Sequence, residues 1–128
     1  MTFVVTAYWD AIPGEEHRVA EFLDLVTPMT RAENGCLMFR AYRCLDNPAG
    51  FFLYEQYVDG DAFEQHRASG HFQRYILGEV APRLDARHVS TQSIPMLDEA
   101  ARSRIKVDSA PQVPAPSIPI ARSPRESS

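Results

Sequence analysis

The sequence predicts an α+β domain over residues 1–97, followed by a proline- and serine-rich segment over 98–128. Three observations carry that reading. Four stretches have strand-like apolar patterning. Two stretches between them carry apolar residues at three- and four-residue spacing. Composition then changes near residue 98, and half of the ten prolines fall in the last 18 residues.

From Phe3 to Asp10 the chain is apolar on both parities, with Val5, Ala7 and Trp9 on one and Val4, Thr6 and Tyr8 on the other. A strand covered on both faces has this pattern. "IPGEE" marks a turn and a helix start, its acidic residues complementing the helix dipole. Val19, Phe22, Leu23, Val26 and Met29 then define one buried face of a helix from Glu15 to about Glu33. Pro28 should kink or break it, and Gly35 is the expected left-handed cap. Leu37–Leu45 and Phe51–Val58 read as a hairpin around "DNPAG". "DGDAFEQH" opens a second helix, capped by Asp59 or Asp61. Ser69-Gly70 interrupts it, Ser69 caps a further helix from His71 to about Leu84, and Arg87–Ile94 is a weak fourth strand. The order β-α-β-β-α-β is the ferredoxin-like arrangement. Its helices lie on one sheet face, so a second subunit is expected to cover the other, giving a homodimer.

Several function classes are disfavoured. A formal charge of −4 lacks the basic face that nucleic acid requires. No apolar run approaches the roughly 20 residues that span a bilayer, so no membrane partner is expected. The start of the chain lacks the basic and small-residue features of a signal peptide, so the expected compartment is cytoplasmic. Cys36 and Cys44, at the two ends of one predicted strand, would be about 25 Å apart at roughly 3.3 Å per residue. They are expected to be free thiols. No Cys/His spacing suggests zinc, and no GxGxxG, P-loop or GxSxG occurs. The expectation is no metal and no organic cofactor.

The candidate chemistry centres on "HRASGHF", where His66 and His71 lie five residues apart. On one continuous helix they would point about 140° apart, whereas paired metal ligands need spacing of three or four. A helical histidine is more often a packing or surface residue, but its pKa near neutrality suits proton transfer. Aromatic residues occur in every main element. Most belong to the core, yet a pocket with aromatic walls and a few polar groups is a usual small-ligand site. Arg40 and Arg43 fall on opposite faces of the second strand. One can bind an anionic oxygen while the other pairs with Glu55, or either forms a plain cross-strand ion pair.

"FVVTAYWDAIPGEEHRVAEFL" and "TRAENGCLMFRAYRCLDNPAGFFLYEQYVDGDAFEQHRASGHFQRYI" together resemble the antibiotic biosynthesis monooxygenase domain family over about residues 3–95. The resemblance implies a dimeric α+β barrel, in which two ferredoxin-like subunits appose their sheets. It also implies a cofactor-independent monooxygenase that oxidises a small aromatic, quinol or anthrone-like polyketide substrate with O2. His66 matches a histidine often found at its position and would be the base, with His71 assisting. Trp9, Tyr54, Phe72 and Tyr75 would contact the substrate, and Arg40 would stabilise an oxyanion. Haem degradation is disfavoured, because the asparagine, tryptophan and axial histidine of haem degraders fall at Ala7, His66 and near Ile76. A proton-transfer isomerase of a small hydroxyketone is the main rival. For a phosphorylated sugar it would need a second basic group in the pocket. A non-catalytic binding domain is the rival outside enzymes.

Overall fold

In a computed structural model, residues 2–94 are described. The segment predicted over 98–128 and the boundary near 97 lie outside the described residues. The described chain runs β1 (Thr2–Ala11), α1 (Glu16–Arg31), β2 (Cys36–Arg43), β3 (Gly50–Tyr57), α2 (Gly60–Ala68), a wide helix α3 (Phe72–Val80), a short turn Ala81–Arg83, and β4 (Leu84–Ile94). The strands form one antiparallel sheet in the order β2-β3-β1-β4. This is the α+β, ferredoxin-like arrangement expected from the element order.

The core lies between the helices and one face of the sheet. Val5, Ala7 and Trp9 of β1, Phe39 of β2, and Phe51, Leu53 and Tyr57 of β3 are buried there. Val19, Leu23 and Val26 supply the matching face of α1. Each such aliphatic side chain contributes roughly 1.5–3 kcal/mol by leaving water. On the opposite face, Val4, Thr6, Tyr8 and Tyr54 are only half-buried, and Tyr42 and Phe52 stay exposed. The double-sided apolarity of β1 is thus covered on one side by this chain.

Four local expectations are corrected. Helix α1 runs through Pro28 to Arg31 without a break, and Thr30 rather than Met29 completes its buried face. Gly35 is not left-handed, because the only glycine with positive φ among the described residues is Gly14 in the β1–α1 turn (φ 95°). Gly35 instead permits close approach, since a Cβ there would collide with that of Ala62 on α2. The helix after Gly70 ends at Val80 rather than near Leu84, followed by a tight turn containing Pro82. The fourth strand consequently starts at Leu84, and residues 84–94 pair along nearly the whole of β1. The wide turns of α3 suit its buried residues, Phe72, Ile76 and Val80, which recur every four positions. No helix among the described residues is long and apolar enough to cross a membrane.

Candidate active site

Asp59 caps α2 by accepting the backbone N–H of Ala62 at 2.8 Å, so the helix starts in a fixed register. That register turns Ala62, Phe63 and His66 inward. Ser69 is extended (φ −67°, ψ 155°) and ends the helix. Its hydroxyl donates to the His66 carbonyl at 2.6 Å and accepts the Phe72 N–H at 3.2 Å. The chain therefore bends between the two histidines, and their ring centroids come to 6.1 Å.

The bend brings together what helical spacing would separate. Glu33, in the loop after α1, meets both rings through one carboxylate oxygen. His66 Nδ1 lies 2.9 Å and His71 Nε2 2.6 Å from Glu33 Oε2. A carboxylate oxygen accepts, so in this arrangement both ring nitrogens are donors. His66 then carries its hydrogen on Nδ1, and Nε2 is the free basic nitrogen. His66 is 3% exposed, and burial lowers its pKa more strongly than Glu33 raises it. The ring is wedged among Phe39, Tyr57, Phe63 and Phe72, with the Phe72 centroid 5.0 Å away in an edge-to-face arrangement. It is a neutral, oriented base at neutral pH.

The argument from spacing, which kept the two histidines apart, is corrected by this cluster. The ligating atoms of Glu33, His66 and His71 lie within 4.8 Å of one another, a donor set that could take a divalent cation. The two N–H donors also satisfy the shared oxygen without one.

His66 lines a cavity of about 290 Å³ between the sheet and the helices. Val5, Ala7 and Trp9 from β1 form its floor, with Glu55 from β3. Phe63, His66 and Phe72 close it from the helices, and Arg87, Val89 and Thr91 border it along β4. Arg67 also lines it. The lining is mainly apolar with a few polar groups, and its size is at the small end for ligand sites, about 300–1,000 Å³. Glu55 is 6% exposed and accepts the Tyr57 hydroxyl at 2.6 Å. Burial pushes its carboxyl up to about 7 against the lowering effect of that bond. Burial also lowers the pKa of Arg87, as does nearby Arg67.

The predicted site residues divide between places. Trp9, His66 and Phe72 line the cavity, and His71 stands behind His66 on Glu33. Arg40 and Tyr54 face each other across the β2–β3 pair, in register on the opposite sheet face. Tyr75 stacks on Phe22 of α1 at 6.1 Å, away from the cavity. Neither arginine of β2 reaches Glu55. Phe39 lies opposite Glu55, and Arg43 donates to the Pro48 carbonyl at 2.7 Å. Both cysteines are free. The cavity's charged groups Glu55, Arg67 and Arg87 were not anticipated. Glu55 had a signal, since it shares the inward parity of Phe51, Leu53 and Tyr57.

The sequence signature of the antibiotic biosynthesis monooxygenase family matches residues 2–76. The chain belongs to that family. It is 32% identical over 90 residues to Rv0793 of Mycobacterium tuberculosis, a protein whose name assigns it provisionally to the monooxygenases. That match covers 69% of this chain and 84% of the relative. The Rv0793 structure superposes with a TM-score of 0.68 at 29% identity, covering 78% of this chain and 99% of the other. SO0527 of Shewanella oneidensis gives 0.67 at 28%, covering 71% and 88%. A crystal structure named for the family matches in fold, with a TM-score of 0.67 at 22% identity and coverage of 73% and 99%. Family and relative together support a monooxygenase-like function.

Proposed function

We propose that this protein is a cofactor-independent monooxygenase acting with O2 on a small quinol, phenol or anthrone-like substrate, with His66 as base. The observation that carries this reading is the buried, neutral imidazole at the cavity wall, its Nδ1 engaged by Glu33 at 2.9 Å. Nε2 takes the substrate's acidic proton and becomes imidazolium. The resulting electron-rich anion reduces O2 and combines with it. For a hydroquinone, one oxygen atom enters the ring and the other leaves as water, giving a hydroxyquinone. Trp9 and Phe72 supply ring contacts, and Glu33 orients the base with His71 as its second partner. The cavity of about 290 Å³ favours one or two rings over a larger polycycle.

One observation supports a second reading. An isomerase of a phosphorylated hydroxyketone needs additional basic groups, and Arg67 and Arg87 both line the cavity. The same base would then move a carbon-bound proton through an enediol. The reading also takes the protein as a homodimer, a second copy covering the sheet face that leaves Tyr42 48% and Phe52 38% exposed.

The test is O2 uptake by chelator-treated protein with a panel of hydroquinones and anthrones. The monooxygenase reading expects uptake that survives chelation. Absence of uptake, with turnover of phosphorylated hydroxyketones instead, selects the isomerase. Absence of both leaves a binding domain.

A further inference from the structure

Glu55 stands out among the cavity's groups that the mechanism above does not use. It is a carboxyl with 6% exposure, set among Val5, Ala7 and Trp9 on the cavity floor. A carboxyl in so apolar a place costs stability unless it has partners. One oxygen, Oε1, accepts the Tyr57 hydroxyl at 2.6 Å. The other, Oε2, has no hydrogen-bond partner among the described residues. The charged and titratable groups around it come from four elements. Tyr57 lies on its own strand, Arg87 on β4, His66 and Arg67 on α2, and Cys36 on β2; Glu33 acts from the loop after α1. No arginine or lysine bonds to it among the described residues. The cavity floor thus holds a poorly neutralised acid, while the wall holds a neutral base.

We propose that Glu55 is a second catalytic residue, exchanging a proton through Oε2 with the substrate oxygen remote from His66. The inference rests on the monooxygenase reading for its reaction and on the cavity for its site. In a hydroquinone, His66 Nε2 takes one hydroxyl proton and Glu55 Oε2 the other. A carbon–oxygen bond forms between the ring and O2; the O–O bond then breaks as that carbon gives up its hydrogen, which ends on the new ring oxygen. The two protons return from His66 and Glu55 to the oxygen atom that leaves as water. Ring and O2 balance to hydroxyquinone and water, and both residues end as they began. The position near neutrality of the Glu55 carboxyl suits such exchange.

The experiment compares Glu55→Gln with the unaltered full chain, using hydroquinone and its monomethyl ether as probes. Gln keeps the shape and an acceptor for Tyr57, and thermal unfolding checks that the variant is folded. With hydroquinone, kcat should fall at least about 10²-fold, and the loss of activity toward acid pH should lose its step near 7 and keep the step of His66. With the monomethyl ether, which has one exchangeable hydroxyl, Glu55→Gln should change kcat less than threefold. Full activity of Glu55→Gln on hydroquinone with an unchanged pH profile overturns the proposal while leaving the His66 reading standing. A second readout does not need turnover. Infrared difference spectra on adding hydroquinone should show a carboxyl band that shifts and that Glu55→Gln removes. If the unaltered protein consumes no O2, the monooxygenase reading fails by itself. An unshifted carboxyl band overturns the Glu55 assignment independently.

Discussion

The two faces of the sheet carry similar residues and differ in what surrounds them. On the helix-covered face, Trp9, Glu55 and Tyr57 are at most 6% exposed, and Trp9 and Glu55 line a cavity with His66. On the other face, Arg40, Tyr42 and Tyr54 provide the same chemistry of rings and cations. There Tyr54 accepts a hydrogen bond from the Gln56 amide at 2.8 Å, and Tyr42 stacks on Phe52 at 6.4 Å. The lesson concerns burial rather than residue type. A carboxyl or imidazole removed from water changes its proton affinity, as Glu55 and His66 do.

Substitution on each face should have very different effects. His66→Ala should lower turnover about 10²–10⁴-fold. Arg40→Ala or Tyr54→Phe should leave kcat within about threefold, since neither residue lines the cavity. Steady-state kinetics on one substrate checks all three.

Glu33→Gln sharpens the claim that His66 depends on a partner. Its amide keeps an acceptor for one ring but loses the charge that favours two N–H donors on one oxygen. Turnover should fall roughly tenfold or more, and stability by about 1–3 kcal/mol, as urea unfolding would show.

Stability against pH distinguishes the buried groups by sign. Glu55 binds its proton more tightly folded than unfolded, between about 4.5 and about 7. Its contribution is complete below that window and is lost as pH rises through it, by roughly 3 kcal/mol in all. His66 acts oppositely. Its folded pKa is lowered, so its contribution is present above 6.5 and is lost as pH falls below that value. Glu55→Gln should therefore flatten the loss between about 4.5 and about 7 in a series of urea unfolding curves. Gly35→Ala is expected to act on stability alone, its Cβ colliding with that of Ala62 at a cost of about 1–3 kcal/mol without a direct change at the cavity.

The element order was legible because strands and helices write their periods locally. The alternation of Val5, Ala7 and Trp9 and the spacing of Val19, Leu23 and Val26 survive into the buried set. The site was legible only in part. The meeting of Glu33 with His66 and His71 spans 33 and 38 residues, and it depends on the extended backbone of Ser69. The interruption at Ser69-Gly70 was legible, but the direction in which it turns His71 was not, and spacing along one continuous helix points the other way. Arg40, Tyr54 and Tyr75 were plausible by composition, but their placement depends on which parity the helices cover and on the α1–α3 contact. Glu55 was the readable exception, a charge on an apolar parity.

In the proposed reaction the cavity-lining imidazole removes the substrate proton and the opposite sheet face takes no part. The most direct measurement is O2 uptake with hydroquinone by the chelator-treated protein, by His66→Ala and by Tyr54→Phe, at matched concentration and confirmed folding. Uptake is expected in the first and third, with collapse in the second. Equal uptake by His66→Ala, or collapse in Tyr54→Phe alone, would contradict this mechanism.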